Sequence, residues 1–134
     1  VIPADWTPHR RDDGELLGWI RPAGRPGADV LWVAVDLLGR EPAGGMEWLD
    51  AERALDEIGL AYLAEPWMLD DAEADGVPTQ VRFVEVTPER IVVKREDFGA
   101  VDAPGRRWEL PWPVPAQLRP RRPDDPDPFV FAAV

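Results

Sequence analysis

Residues 80–96 read QVRFVEVTPERIVVKRE, and this pattern decides the fold class. Val81 and Phe83 alternate with Arg82, and Val84 and Val86 then carry the opposite face. Ile91, Val92 and Val93 supply β-branched bulk suited to a pleated surface. Thr87-Pro88-Glu89-Arg90 suits a four-residue turn with proline at its second position. The segment predicts an antiparallel hairpin, residues 80–87 with 90–96. Arg82, Glu85, Lys94 and Arg95 are expected to pair across its exposed face.

Strand patterns continue on both sides. Residues 108–110 predict a short strand. Pro111-Trp112-Pro113-Val114-Pro115 must then run extended, because proline fixes φ and restricts the residue before it. Residues 67–69 predict another short strand, and residues 60–63 a short strand or a helical extension. In residues 30–38, Leu31, Val33, Val35 and Leu37 line one face, and Val30, Trp32 and Ala34 line most of the other. That two-sided apolarity predicts a central strand covered by a second layer. Residues 16–21 predict a strand with Leu17 and Trp19 on one face and Leu16 and Ile20 on the other. Residues 1–15 read as an irregular arm anchored by Trp6, and residues 116–134 as a Pro-rich tail.

Between the strand-like regions lies an acidic stretch. Residues 41–75 hold eleven carboxylates and one base, Arg53, so nearly all of the chain's net charge of −11 falls here. A helix is predicted inside it, with Asp50 as N-cap, Leu49 and Ala54 at staple positions, and Gly59 as the left-handed end. Ala51, Ala54, Leu55 and Ile58 share one face, while Glu52, Asp56 and Glu57 fall away from it. The expected fold is therefore α+β: a mainly antiparallel curled sheet, or a partly closed small β-barrel, with one short acidic helix in a single domain spanning residues 1–134.

Composition narrows the chemistry. The chain has 134 residues, enough to bury a sizeable core. It has no Cys, so disulfides and thiolate zinc sites are excluded. It also has no Ser and no Asn, and only one His and one Lys. Ser or Cys nucleophiles are thus absent, and His9 stands alone in the arm. A site must be built from carboxylates, Arg, Trp or backbone. The acidity disfavours nucleic acid and anionic membranes, which need a positive surface. No apolar run reaches membrane-spanning length, and Val1-Ile2-Pro3-Ala4-Asp5-Trp6 lacks a signal-peptide pattern, so a cytoplasmic address is expected.

Asp71-Ala72-Glu73-Ala74-Asp75-Gly76 has the acid spacing of a calcium loop. It carries Glu at the third position and Arg82 at the twelfth, and no helix is predicted after it, so an acidic solvated loop is the better account. No metal and no cofactor are expected. Asp36, Asp97 and Asp102 are the carboxylates placed for chemistry, with a cap or salt bridge as the ordinary role of Asp36. Seven Trp spread along the chain suit a core filled from many elements. Trp112, between two prolines, is the one expected to be exposed and to meet a partner.

The runs Leu-Leu-Gly-Trp-Ile (16–20), Val-Ala-Val-Asp-Leu-Leu-Gly-Arg (33–40), Trp-Leu-Asp-Ala-Glu (48–52) and Ile-Val-Val-Lys-Arg-Glu-Asp-Phe (91–98) resemble small uncharacterised proteins of high-GC actinobacteria. The resemblance covers the chain up to about Pro115. It implies no activity, cofactor or site residue.

The leading expectation is a non-catalytic binding or adaptor module that engages a protein partner. Its candidate contacts are Trp112, the acidic Glu52, Asp56 and Glu57, and Phe129 and Phe131 of the tail, which could also dock on a second copy. The runner-up is a carboxylate-based enzyme, such as a divalent-metal-assisted hydrolase.

Overall fold

The computed structural model describes residues 2–24, 31–72, 76–96 and 106–126. Two antiparallel sheets and one short helix make up the described residues, and no closed barrel forms among them. The α+β expectation holds at that level, with two sheets in place of one curled sheet.

The first sheet has the order β1-β2-β3: β1 Thr7–Arg10, β2 Leu16–Pro22 and β3 Trp32–Asp36. β1 corrects the reading of residues 1–15 as irregular. Its sequence, Thr-Pro-His-Arg, has no apolar alternation because it is an edge strand with mostly exposed side chains. Backbone pairing with β2 holds it, and an edge position tolerates Pro8. β3 is buried on both faces as expected, yet β2 is the middle strand of the sheet. Val30 lies outside the described residues.

A bulge changes which face Leu17 occupies. His9 pairs with Gly18 and Arg10 with Leu16, so Leu17 is an extra residue on β2. It leaves the face of Trp19 and joins Ile20 and Ala34. Gly18 is required beside it, because a Cβ there would lie 2.1 Å from the Val35 carbonyl oxygen.

Helix α1, Trp48–Ile58, covers that face with Ala51 and Leu55. Gly59 ends it at φ +57°, donating its N–H to Leu55 O. The start differs from expectation. Glu47 is the N-cap residue without a side-chain capping bond, and Asp50 sits in the first turn. Leu49 is 70% exposed, so no staple to Ala54 forms. The Trp32 and Trp48 rings instead meet edge to face at 4.9 Å and seat the helix start on β3.

A 3₁₀ turn, Ala61–Ala64, leads into the second sheet. Its strands are β4 Trp67–Leu69, β5 Thr79–Val86, β6 Ile91–Arg95, β7 Arg107–Leu110 and β8 Leu118–Pro120, in the order β7-β6-β5-β4-β8. β5 and β6 form the expected hairpin, and Thr87 and Arg90 exchange backbone hydrogen bonds across the turn at 3.0 and 3.2 Å. Arg82 and Lys94 face each other in register, and Glu85 pairs with Arg90 beside the turn. β8 corrects the reading of residues 116–134 as tail throughout. Its Leu118 enters a core with Trp67, Leu69, Val81, Ile91, Val93 and Leu110.

The Pro-rich segment after β7 ties the sheets together. Val114 N–H donates to Leu38 O at 2.8 Å, and Leu38 itself belongs to the core of the second sheet. No helix among the described residues is long and apolar enough to cross a membrane.

Candidate functional site

Three charged clusters and one cleft hold the candidate side chains. Asp36, at the end of β3, is 2% exposed. Its carboxylate accepts from Leu38 N–H and Arg40 N–H, each at 2.9 Å, and from Arg40 Nε at 2.7 Å. Arg40 lies over the rings of Tyr62 and Trp67, 4.9 and 5.3 Å from their centroids. Tyr62 Oη accepts from Leu37 N–H at 3.1 Å, and burial, with the nearby Asp36 charge, pushes its pKa up to about 12. Asp36 therefore closes the turn after β3 and holds Arg40. Asp36 Oδ1 accepts two of these bonds and Oδ2 one, which gives the carboxylate a structural role at the strand end. Asp36→Ala strands two amide donors and a guanidinium, and is expected to cost about 3 kcal/mol in chemical denaturation. Asp36→Asn, which keeps an acceptor, should cost less than half of that.

Trp112 is not an exposed platform. It is half-buried, donates Nε1–H to Leu37 O at 2.9 Å, and meets Trp19 edge to face at 5.8 Å. The segment does not run extended as expected: it bends at Trp112 and Pro113, which are joined by a cis peptide bond, and it lies beside the loop after β3. Trp112 joins the two sheets.

The acids of α1 divide into two sets. Glu52 and Asp56, one turn apart, reach His9 of β1 from two sides. His9 Nε2 lies 2.8 Å from Asp56 Oδ1, and Nδ1 lies 3.5 Å from Glu52 Oε2. These two residues, expected to face a partner, thus also hold β1 to α1. Glu47, Asp50 and Glu57 remain on the exposed side of the helix, with Arg53 3.9 Å from Asp50.

Sequence reasoning missed the third cluster. Arg119 of β8 lies between Asp70, which follows β4, and Asp125. Its Nε and Nη2 donate to Asp70 at 2.9 and 3.0 Å, and its Nη1 and Nη2 donate to Asp125, each at 2.8 Å. The guanidinium and the Arg122 N–H hold the buried Asp125 down to a pKa of about 2, and the two carboxylates raise that of Arg119. Every charge in the cluster is paired, so it acts as a clamp.

Asp97, Asp102, Phe129 and Phe131 lie outside the described residues, as do Glu73 and Asp75 of the acidic loop. Among the described residues, no three His, Asp or Glu side chains come together as a metal-binding group.

The cleft lies beside β5. It has a volume of about 310 Å³ and is bordered by Glu65 and Pro66 before β4, by Gln80, Arg82 and Phe83 of β5, and by Glu96 after β6. That is at the small end of ligand pockets. No sequence motif marks it, because it arises from unequal strand lengths.

No family model, curated protein or solved structure matches the chain. The functional reading therefore stands on geometry.

Proposed function

We propose that the chain is a non-catalytic binding module that engages a basic protein partner through the outer face of α1. The observation that carries this reading is Leu49. It is the most exposed large apolar side chain among the described residues, at 70%, and it stands on a helix whose exposed side also carries Asp50, Arg53 and Glu57, with Glu47 just before its first turn. The helix is seated by Ala51 and Leu55, so this outer face is not needed to hold it. Carboxylates around an apolar contact steer a basic partner from a distance and leave the short-range contact to the side chain. The commitment of Asp36, Asp70 and Asp125 to structural bonds supports binding over carboxylate catalysis.

The test compares the chain with a Leu49→Ser variant carrying Glu47→Lys, Asp50→Lys and Glu57→Lys. None of these positions is buried, so the fold should survive. Proteins captured from native lysate at about 50 mM salt should be lost at about 0.5 M, where charges are screened beyond a few ångströms. The variant should capture at least tenfold less of them at low salt. Equal capture by the variant, or no capture at low salt, would defeat the reading.

A further inference from the structure

The cleft beside β5 has an unpaired stretch of β-strand edge as its floor. β5 has eight residues, and β4 pairs only with the first three, Thr79, Gln80 and Val81. β4 stops because of its own sequence. Pro66 has no N–H, and its carbonyl turns the other way to accept from Arg121 N–H at 3.1 Å. Glu65, which would stand opposite Phe83 if the register continued, donates its N–H to Tyr62 O in the 3₁₀ turn.

The register shows where the backbone of β5 points. Glu96 N–H donates to Gln80 O, so Gln80 faces β6, and Arg82, opposite Lys94, does the same. Val81 and Phe83 then face the β4 side. Val81 meets Trp67 there, and among the described residues the register gives Phe83 no partner strand on that side. Val84 is the extra residue of a bulge, which limits how far a ladder can run. Leu63, Pro66 and Phe83 line the cleft together with the polar Glu65, Gln80, Arg82 and Glu96. A main-chain donor and acceptor on one residue, in a cleft lined by both apolar and polar side chains, are complementary to one unit of extended peptide.

We propose that this slot binds a short extended peptide segment of a partner protein by strand addition. The Phe83 N–H and C=O pair with its backbone, and a β-branched apolar side chain rests on Leu63 and Pro66. The idea rests on the reading of the chain as a protein-binding module, but it uses a face other than α1.

Amide hydrogen exchange followed by NMR tests it with a neutral probe, acetyl-Thr-Val-Thr-Val-Thr-amide. In the free chain, the Phe83 amide should exchange at least a hundredfold faster than that of Arg82. Millimolar probe should slow the Phe83 amide at least tenfold, and the same peptide methylated on its valine nitrogens should not. A Phe83 amide already as protected as that of Arg82 would overturn the proposal, as would a probe that leaves its exchange unchanged. Protection that rises with protein concentration would put a second copy in the slot and overturn the assigned occupant. The four-substitution α1 variant separates the two ideas: it should bind the probe unchanged even where it loses its lysate partners.

Discussion

Trp67→Ala is expected to cost about 4 kcal/mol of folding stability, read as a lower urea midpoint at an unchanged slope. Trp67 is 2% exposed and lies in the core of the second sheet with Leu69, Val81 and Leu118. Removal of the indole opens a cavity that β4, pinned by β5 on one side and β8 on the other, has little freedom to fill. Three further contacts go with it. The Phe83 ring loses its edge-to-face partner at 5.1 Å, Arg40 loses one of the two rings beneath it, and Tyr62 O loses the Nε1–H donor at 2.8 Å. Trp67→Phe keeps much of the volume and only the indole hydrogen bond is certain to go, so its cost should be about 2 kcal/mol. An equal cost for the two variants would show that the bond to Tyr62, and not the packing, makes Trp67 central. With total stability for domains of this kind at roughly 5–15 kcal/mol, the alanine variant should sit near the edge of folding.

The limits of the sequence reading are physical. The hairpin, β2, β7 and the Gly59 helix end were legible because each depends on local pattern: alternation, β-branched runs, or a residue that tolerates positive φ. β1 and β8 were not. Each is short and carries few apolar residues, so its existence depends on a partner strand that periodicity within the segment does not reveal. The bulge at Leu17 was hidden for the same reason, since it is a property of the pairing with β1. Asp36 took the ordinary role expected for a strand-end carboxylate. Trp112 was misplaced because flanking prolines suggest an extended backbone, whereas the chain bends at Trp112 and Pro113, and because they say nothing about what lies beside it. The cleft was out of reach altogether. The breaker Glu65-Pro66 was visible in the sequence, but only the register with β5 shows that it leaves Phe83 facing an open slot.

The Arg119 cluster was invisible for a different reason: among twenty-six acids, no pair separated by forty-nine positions stands out. It yields the other large expected effect. Arg119→Met should cost about 3 kcal/mol at neutral pH, because it leaves Asp125, whose side chain is 5% exposed, without its guanidinium. β8 pairs with β4 through only three residues, so loss of the clamp should also expose residues 118–126 to protease. The pH dependence separates charge from packing. The Asp125 pKa is about 2 in the folded chain and 3.8 as its ordinary value. A lowered folded pKa means that the contribution is complete above about pH 4 and is lost as the pH falls through about 2. That contribution is about 2 kcal/mol, so the stability gap between the parent and Arg119→Met should be widest above pH 5 and mostly closed by pH 2. Asp125→Asn should show a smaller gap that closes over the same interval. A gap that stays constant from pH 7 to pH 2 would mean that Arg119 stabilises β8 through its aliphatic stem, not through its charge.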